Sequence, residues 1–401
     1  MVEIAAEKTS TDAVGGSPRV PVIFQIVGRL DGGPAARLAI DNAIAVVKAG
    51  GRAAVASSGG PLVHELDRGG VAHHLLPLDG EADFLKLSTR RRLRRLLTQE
   101  GANVVHAYGW EAAKALRPLT RSRSMRLVTT FLESLEPRGF LARRRLKPLL
   151  RADRIIAPSH KVAEYLLNEC KADESRVVVV PPGVNIARFS PLAVRAERII
   201  KLAQQWRIPD DRRIILVPAP LDHDRGADTV LDAVKLLARH DVFCLLLGAR
   251  PESGSRRDDL EKSIGKKGVG GLVFIAEHCG DMAAAYMLAD TVVVADLKPR
   301  PYSRIVTEAQ AMGRPVVATD AGGIAEPLRS AQSGWIFPAG DAAALAAVLS
   351  QSLALDPDDR ARLAGTAIEH MKNGFALDLT AEQMLALYDS VLETVWADAR
   401  T

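Results

Sequence analysis

Short runs of valine, isoleucine and alanine alternate with longer stretches of helical periodicity along almost all of this 401-residue chain. The runs are nearly continuous in apolar residues, which is typical of strands buried on both faces of a parallel sheet. The stretches between them, such as 34–49 and 90–99, carry their apolar residues on one helical face. The sequence therefore predicts βαβ units and a doubly wound α/β fold.

The predicted strands form two series, separated by Pro181-Pro182-Gly183. Proline and glycine end the last strand of the first series, and a hinge-like stretch follows. We therefore expect two Rossmann-like domains, residues 19–188 and 189–379, that face each other across a cleft. Residues 1–18 are expected to form a disordered tail, and residues 380–401 a helix that returns to the first domain. The strands are predicted at 20–27, 52–56, 104–106, 126–131, 154–157, 176–180, 214–217, 242–247, 272–275, 291–294 and 315–318.

Basic residues are concentrated in the first half of the chain. Residues 1–190 hold 29 Lys and Arg against 19 Asp and Glu, whereas the rest holds 24 against 29. Arginines lie among leucines in Phe140–Arg151, which is typical either of a solvated helix face or of a surface that meets an anionic membrane. Aromatic residues make up 4% of the chain and few lie among the arginines, so nucleic acid is not expected as a partner.

Missing motifs exclude several kinds of site. No Gly-x-Gly-x-x-Gly follows a strand, no phosphate loop ends in Gly-Lys-Ser or Gly-Lys-Thr, and no serine lies in a Gly-x-Ser-x-Gly elbow. His73-His74 and Glu277-His278-Cys279 lack partners at metal-ligand spacing, and Asp356-Pro357-Asp358 is typical of a helix cap. We expect no metal and no cofactor. Widely spaced cysteines and a polar amino terminus indicate a cytoplasmic protein.

A glycine-rich loop follows the first predicted strand. It contains Asp31-Gly32-Gly33-Pro34 and opens a helix. Ligands of doubly wound sheets bind beyond the carboxyl ends of the strands. Gly32 and Gly33 would allow backbone N–H groups to approach an anion at the helix amino terminus, although a plain tight turn explains the motif equally well.

The longest motif of the second half reads TEAQAMGRPVVATDAGG over residues 307–323. Supporting motifs are Ile156–Ser159, Val180–Asn185 with Phe189, and Ser333–Asp341. In this order and spacing they resemble the family 4 retaining glycosyltransferases, which have the two-domain GT-B fold. The resemblance extends over nearly the whole chain.

The resemblance implies transfer of a sugar from a nucleotide-sugar donor, with retention at the anomeric carbon and with the donor mainly on the second domain. Glu308 resembles a family glutamate that holds the donor ribose. Arg225, next to Gly226, stands where the family has a lysine that grips the donor diphosphate. We expect Arg225, Arg300 and Arg304 to form a rebuilt clamp, because guanidinium forks suit phosphate oxygens. The alternative is that they are solvated loop residues.

Three positions depart from the family pattern. Pro220 stands where the family has an arginine that grips the diphosphate, and Arg300 where it has a glutamate that contacts the sugar. Leu132 stands where the family has a histidine near the reacting sugar. His106 is assigned no role. Losing one hydrogen-bond donor to a transition state can lower a rate by ~10²–10³. The sequence is therefore compatible with an active site and with an inactive one.

We predict a cytoplasmic, metal-independent transferase, peripheral at the inner face of the plasma membrane. It would extend a cell-envelope glycan or lipid-linked acceptor, in lipopolysaccharide or polysaccharide biosynthesis. One alternative is a catalytically inactive family member that acts as a scaffold for a nucleotide sugar or a partner transferase. Another is a GT-B sugar-nucleotide epimerase, which would convert the donor with no acceptor present.

Overall fold

The computed structural model describes residues 20–120, 125–136, 139–219, 222–249, 254–277, 279–328 and 333–398. These residues form two parallel β-sheets with helices packed on both faces of each. The predicted α/β architecture of two Rossmann-like halves is confirmed. The tail predicted for residues 1–18 lies outside the described residues.

The first sheet has seven strands in the order β3-β2-β1-β4-β5-β6-β7, and all neighbours are parallel. Strand order therefore reverses between β1 and β4. The strands are β1 (Val22–Ile26), β2 (Arg52–Ser57), β3 (Ala72–Leu75), β4 (Val104–Tyr108), β5 (Arg126–Thr130), β6 (Arg154–Ala157) and β7 (Val177–Val179).

The second sheet has six parallel strands in the order β10-β9-β8-β11-β12-β13. Here strand order reverses between β8 and β11. The strands are β8 (Arg213–Val217), β9 (Val242–Ala249), β10 (Val273–Glu277), β11 (Thr291–Val294), β12 (Val316–Thr319) and β13 (Trp335–Phe337).

Helices connect the strands, as parallel neighbours require. Asp356 accepts a hydrogen bond from the backbone N–H of Asp359 at 2.8 Å and caps a helix, as the sequence predicts. The helices are α1 (Pro34–Lys48), α2 (Val63–Arg68), α3 (Glu81–Leu85), α4 (Leu87–Glu100), α5 (Trp110–Leu116), α6 (Phe140–Leu150), α7 (His160–Asn168), α8 (Ala196–Gln205), α9 (Ala227–Leu237), α10 (Gly254–Lys267), α11 (Met282–Leu288), α12 (Arg304–Ala311), α13 (Ala342–Leu353), α14 (Pro357–Gly374) and α15 (Leu377–Asp398).

Two strands, β3 and β13, are missing from the predicted set, and both lie at sheet edges. β3 contains His73 and His74, whose rings bond to the Ser57 hydroxyl at 2.8 Å and to the Glu100 carboxylate at 2.9 Å. β13 has only three residues. Two histidines interrupt β3, and the Trp335-Ile336-Phe337 run of β13 is shorter than the apolar runs on which the prediction depends.

The last helix, α15, returns to the first domain, as predicted. It begins at Leu377 rather than at residue 380 and packs Met384, Tyr388 and Leu392 into the core between α1 and the first sheet. The chain therefore crosses between the domains twice. The crossings run side by side, because Val184 donates to the carbonyl of Phe375 at 2.7 Å and accepts from Leu377 at 2.9 Å.

Candidate functional site

Two loops follow β8 and β11, at the point where the strand order of the second sheet reverses. Ligands of open α/β sheets bind in the crevice beyond such a point. The first loop ends in a short 3₁₀ turn, His223–Arg225, directly before Gly226 and α9. The second loop leads from β11 to α12. The backbone N–H of Leu297 donates to the carbonyl oxygen of Asp224 at 2.8 Å, which joins the two loops.

Gly226 allows the two loops to lie this close. Its φ is +73°, in the left-handed region that favours glycine. A Cβ atom at this position would lie 1.9 Å from the carbonyl oxygen of Ala295. The glycine is therefore required by backbone packing at the start of α9, independently of any contact with a ligand.

Arg225 and Arg300, both predicted clamp residues, are brought together here and share one carboxylate. Arg225 donates from Nη1 to Oδ1 of Asp296 at 2.7 Å, and Arg300 donates from Nε to the same oxygen at 2.5 Å. Arg300 also donates from Nη2 to Oδ2 of Asp224 at 2.7 Å. We call these four residues (Asp224, Arg225, Asp296 and Arg300) the Arg–Asp cluster. Its formal charges balance.

Arg225 and Arg300 are paired with aspartates in the Arg–Asp cluster, so they do not form a clamp of unpaired cations. Asp296 is only 2% exposed, so its charge needs both arginines as partners. The Nε atom of Arg225 is buried, and no described residue accepts a hydrogen bond from it. Sequence reasoning missed Asp224 and Asp296; the only available signal was the alternation of acidic and basic residues at 222–225.

Arg304 lies apart from the Arg–Asp cluster, at the start of α12. It donates from Nη2 to the carbonyl oxygen of Gly32 in the first domain at 2.8 Å. Gly32 has a φ of +89°, and the N–H of Gly33 donates to Oδ1 of Asp31 at 3.0 Å. The N–H group of Gly33, which was predicted to meet an anion at the start of α1, therefore already donates to the carboxylate of Asp31.

Glu308 lies one turn along α12 from Arg304. Its Oε2 accepts a hydrogen bond from the hydroxyl of Tyr286 on α11 at 2.9 Å. Burial raises the pKa of Glu308, and the positive charge of Arg304 opposes that shift. A carboxylate has about four acceptor positions, so Glu308 can accept further hydrogen bonds from hydroxyl groups of a ligand.

The other positions of the family pattern lie in the first domain or outside the described residues. Leu132, just after β5, is partly buried and packs against the core beneath α1 and α15. Pro220 lies outside the described residues. His106 is fully buried and bonds through its two ring nitrogens to the hydroxyls of Tyr388 and Thr130, each at 2.7 Å. Burial lowers the pKa of His106 to about 3, so the ring is neutral at physiological pH.

The loop after β11 also contacts the first domain. Its Pro301 carbonyl accepts from the Ser159 hydroxyl at 2.8 Å, and its Pro299 carbonyl accepts from the Ser134 hydroxyl at 3.1 Å. Glu326 accepts from the backbone N–H of His160, at the start of α7, at 2.9 Å. The walls of the cleft therefore touch in this structure.

The basic segment Phe140–Arg151 forms α6 and its end. Arg143, Arg144, Arg145 and Lys147 are exposed, whereas Leu146 and Leu149 are buried in the core of the first domain. The side chain of Phe140 is not described. These two leucines are therefore not available to a membrane, and the exposed side chains among the described ones of α6 are all basic.

The part of the chain that the structure describes contains neither a metal-binding cluster nor a membrane-spanning helix. There, no three His, Cys, Asp or Glu side chains gather as a set that could hold a metal ion. No helix in those residues combines the length and apolar character needed to cross a bilayer.

Two family models match this chain, and together they extend over most of it. The model described as Glycosyltransferase Family 4 matches residues 33–188, and the model described as Glycosyl transferases group 1 matches residues 199–370. The boundary between the two matches falls in the segment that joins the two sheets.

Curated relatives include D-inositol 3-phosphate glycosyltransferases from several species. The protein from Thermomonospora curvata is 31% identical over 261 residues, which are 62% of this chain and 59% of that protein. The protein from Actinosynnema mirum is 32% identical over 249 residues, which are 59% of this chain and 57% of that protein. The chain thus matches little more than half the length of these relatives.

Solved structures with the same fold cover nearly the whole chain. A glycosyltransferase from Rickettsia africae superposes with a TM-score of 0.85 at 24% identity, covering 93% of this chain and 99% of that one. Anabaena HepE in complex with UDP-glucose superposes with a TM-score of 0.80 at 19% identity, covering 92% and 99%. At these identities the likeness establishes the shared fold.

Proposed function

We propose that this chain, which belongs to glycosyltransferase family 4 and has the GT-B fold, transfers a sugar from a nucleotide-sugar donor to an acceptor. The observation that carries the proposal is the convergence of the α9 amino terminus, Arg225 and the loop after β11 where the strand order of the second sheet reverses. Helix amino termini and guanidinium groups both favour phosphate oxygens. The UDP-glucose bound to Anabaena HepE supports a donor of this class.

Breaking the bond between sugar and diphosphate leaves negative charge on the diphosphate, which the site must stabilise. We propose that Arg225, Arg300 and Arg304 supply positive charge without a metal, and that Glu308 accepts hydrogen bonds from the donor ribose. Transfer with retention at the anomeric carbon is part of the proposal and rests on the family resemblance. No residue is assigned as a nucleophile.

The proposed acceptor is a cell-envelope glycan or a lipid-linked sugar, reached at the inner face of the plasma membrane. Exposed arginines on α4 and exposed basic residues on α6 support an anionic surface as partner. Because Leu146 and Leu149 are buried, we expect such binding to depend on charge and to weaken with salt. A role in lipopolysaccharide or polysaccharide assembly follows only if that acceptor is found.

The experiment that tests donor binding is thermal unfolding with UDP, GDP, ADP and their common sugar derivatives. A ligand at 100 times its Kd adds about 2.7 kcal/mol to the free energy of unfolding, which shifts the midpoint clearly. Stabilisation by one nucleotide series would support the donor site and identify the base. No shift with any member of the panel would contradict it.

A second candidate function is a non-catalytic scaffold, and the ion pairs that Arg225 and Arg300 form with carboxylates favour it. The Glu308→Ala variant separates the two. An enzyme should lose sugar transfer in this variant, whereas a scaffold should show no transfer in either form and should keep its partner. Conversion of the donor with no acceptor present would instead indicate an epimerase.

A further inference from the structure

Arg300 reaches two carboxylates, one from each loop of the candidate site. Its Nε bonds to Asp296, and its Nη2 bonds to Asp224. An anionic ligand that used Arg300 would therefore place its oxygens beside carboxylates that already bond to the same guanidinium. Like charges at such distances oppose binding strongly in a site of low dielectric.

The two aspartates of the Arg–Asp cluster differ in how replaceable they are. Asp296 is 2% exposed and accepts hydrogen bonds from both arginines, so it holds the two guanidinium groups in place. Asp224 is 31% exposed and bonds to Arg300 alone among the described ion pairs. It belongs to a single 3₁₀ turn, which a small rotation of its side chain would leave intact. Asp224 can therefore release Arg300 at low cost, and Asp296 cannot.

We propose that Asp224 competes with the donor diphosphate for Arg300. This inference rests on the proposed function and deepens it. Asp224 accepts a hydrogen bond from Nη2 of Arg300, and the formal charge of the cluster is zero. A nucleoside diphosphate can bind Nη2 of Arg300 only by displacing Asp224. Its affinity is therefore lower than it would be if Arg225 and Arg300 acted without Asp224.

The buried Nε of Arg225 is a second polar group at this position. No described residue accepts from it, and buried donors in folded proteins are normally satisfied. It lies one residue before Gly226 and the start of α9, whose amino terminus favours a negative charge. A phosphate oxygen placed there would meet Arg225 and, once Asp224 moves, Arg300.

Asp224→Asn tests the proposal, with Asp222→Asn as its matched control. Both variants remove one negative charge from the same loop with the same change of side chain. Asp222 is exposed, and its side chain forms no cap hydrogen bond at the 3₁₀ turn. Binding is measured by calorimetry with UDP, GDP, ADP, inorganic pyrophosphate and the three nucleosides, and the unfolding midpoint without ligand shows that each variant folds.

We expect Asp224→Asn to lower the Kd for the preferred nucleoside diphosphate and for pyrophosphate by about tenfold or more, since it removes a like charge beside the ligand. Asp222→Asn should stay within about twofold of the wild type, because a solvated charge is screened. Nucleoside binding should not change. Adding Arg300→Gln to Asp224→Asn should abolish the gain.

The outcomes separate this inference from the proposed function. If the wild type binds nucleotide and Asp224→Asn matches Asp222→Asn or binds more weakly, the inference is overturned and the proposed function stands. If the wild type binds nothing and Asp224→Asn binds, the competitor is confirmed and the wild-type donor site is closed. If no variant binds nucleotide or pyrophosphate, both fail.

Discussion

The Nη2 atom of Arg304 lies 2.8 Å from the carbonyl oxygen of Gly32, and this hydrogen bond joins the reversal points of the two sheets. Arg304 begins α12, which also carries Glu308, whereas Gly32 lies in the glycine-rich loop before α1. The two candidate site segments that are farthest apart in sequence therefore meet across the cleft. This contact links the position of α12 to the position of the first domain.

Arg304→Ala should weaken binding of the nucleotide sugar by about tenfold or more, because a hydrogen bond to a charged group contributes about 1.5–3 kcal/mol. Arg304→Lys keeps the charge and should lose less. Calorimetric titration with the nucleotide sugar identified in the thermal screen measures both. Equal affinities in the wild type and Arg304→Ala would remove Arg304 from the donor site.

Gly226→Ala should destabilise the protein by about 2 kcal/mol or more, because the new Cβ would meet the Ala295 carbonyl at 1.9 Å and the φ of +73° disfavours any other residue. Gly101→Ala is the matched control. Gly101 has a φ of +67° and open space around a Cβ, so this variant reports only the backbone penalty. Urea unfolding measures the free energy of unfolding of both variants. Equal losses of stability would show that Gly226 does not lie against the Ala295 carbonyl.

His106 should make stability depend on pH in the acid range. Burial lowers the pKa of His106 to about 3, from 6.5 in an exposed histidine. Between these values the unfolded chain binds a proton that the folded protein does not. The free energy of unfolding should therefore be highest above pH 6.5 and should fall with decreasing pH, by up to about 1.4 kcal/mol per unit from this one residue.

His106→Gln should flatten this dependence between pH 6.5 and pH 4, and His64→Gln, at an exposed position, should leave it unchanged. The measurement is the midpoint of unfolding against pH for the three proteins. Parallel curves for the wild type and His106→Gln would mean that His106 is not buried as a neutral ring.

The basic surface of the first domain should bind anionic vesicles at low salt. Arg144→Gln with Lys147→Gln on α6 should reduce sedimentation with phosphatidylglycerol vesicles, since each basic residue near such a surface contributes about 1 kcal/mol. The control pair is Lys262→Gln with Lys266→Gln, exposed on α10 of the second domain. No binding by the wild type, or equal losses in both pairs, would remove the proposed membrane contact.

Much of the fold was predictable because parallel strands buried on both faces leave a continuous apolar run in the sequence. The central strands β1, β4, β8 and β11 were all found in this way. β3 and β13 were not, because histidines interrupt the first and the second has only three residues, although the other two edge strands, β7 and β10, were predicted. The GT-B arrangement, which the family resemblance implied, and the return of α15 to the first domain were also predicted correctly.

The candidate site was only partly predictable. The prediction named Arg225, Arg300 and Arg304 as cations, and the structure brings the first two together with Asp224 and Asp296. Which carboxylate faces which arginine depends on how two loops from distant strands meet, and no local pattern carries that information. The contact between Arg304 and Gly32 is also a property of the folded chain alone.

The most direct test of the central claim is an assay of sugar transfer monitored by NMR. The donor is the nucleotide sugar that stabilises the protein, and the acceptors are extracted envelope lipids and glycans. We predict a new glycoside whose anomeric configuration matches that of the donor, at unchanged rate in EDTA, and its loss in Glu308→Ala. Binding of the nucleotide sugar without turnover under any of these conditions would contradict the enzyme and favour the scaffold.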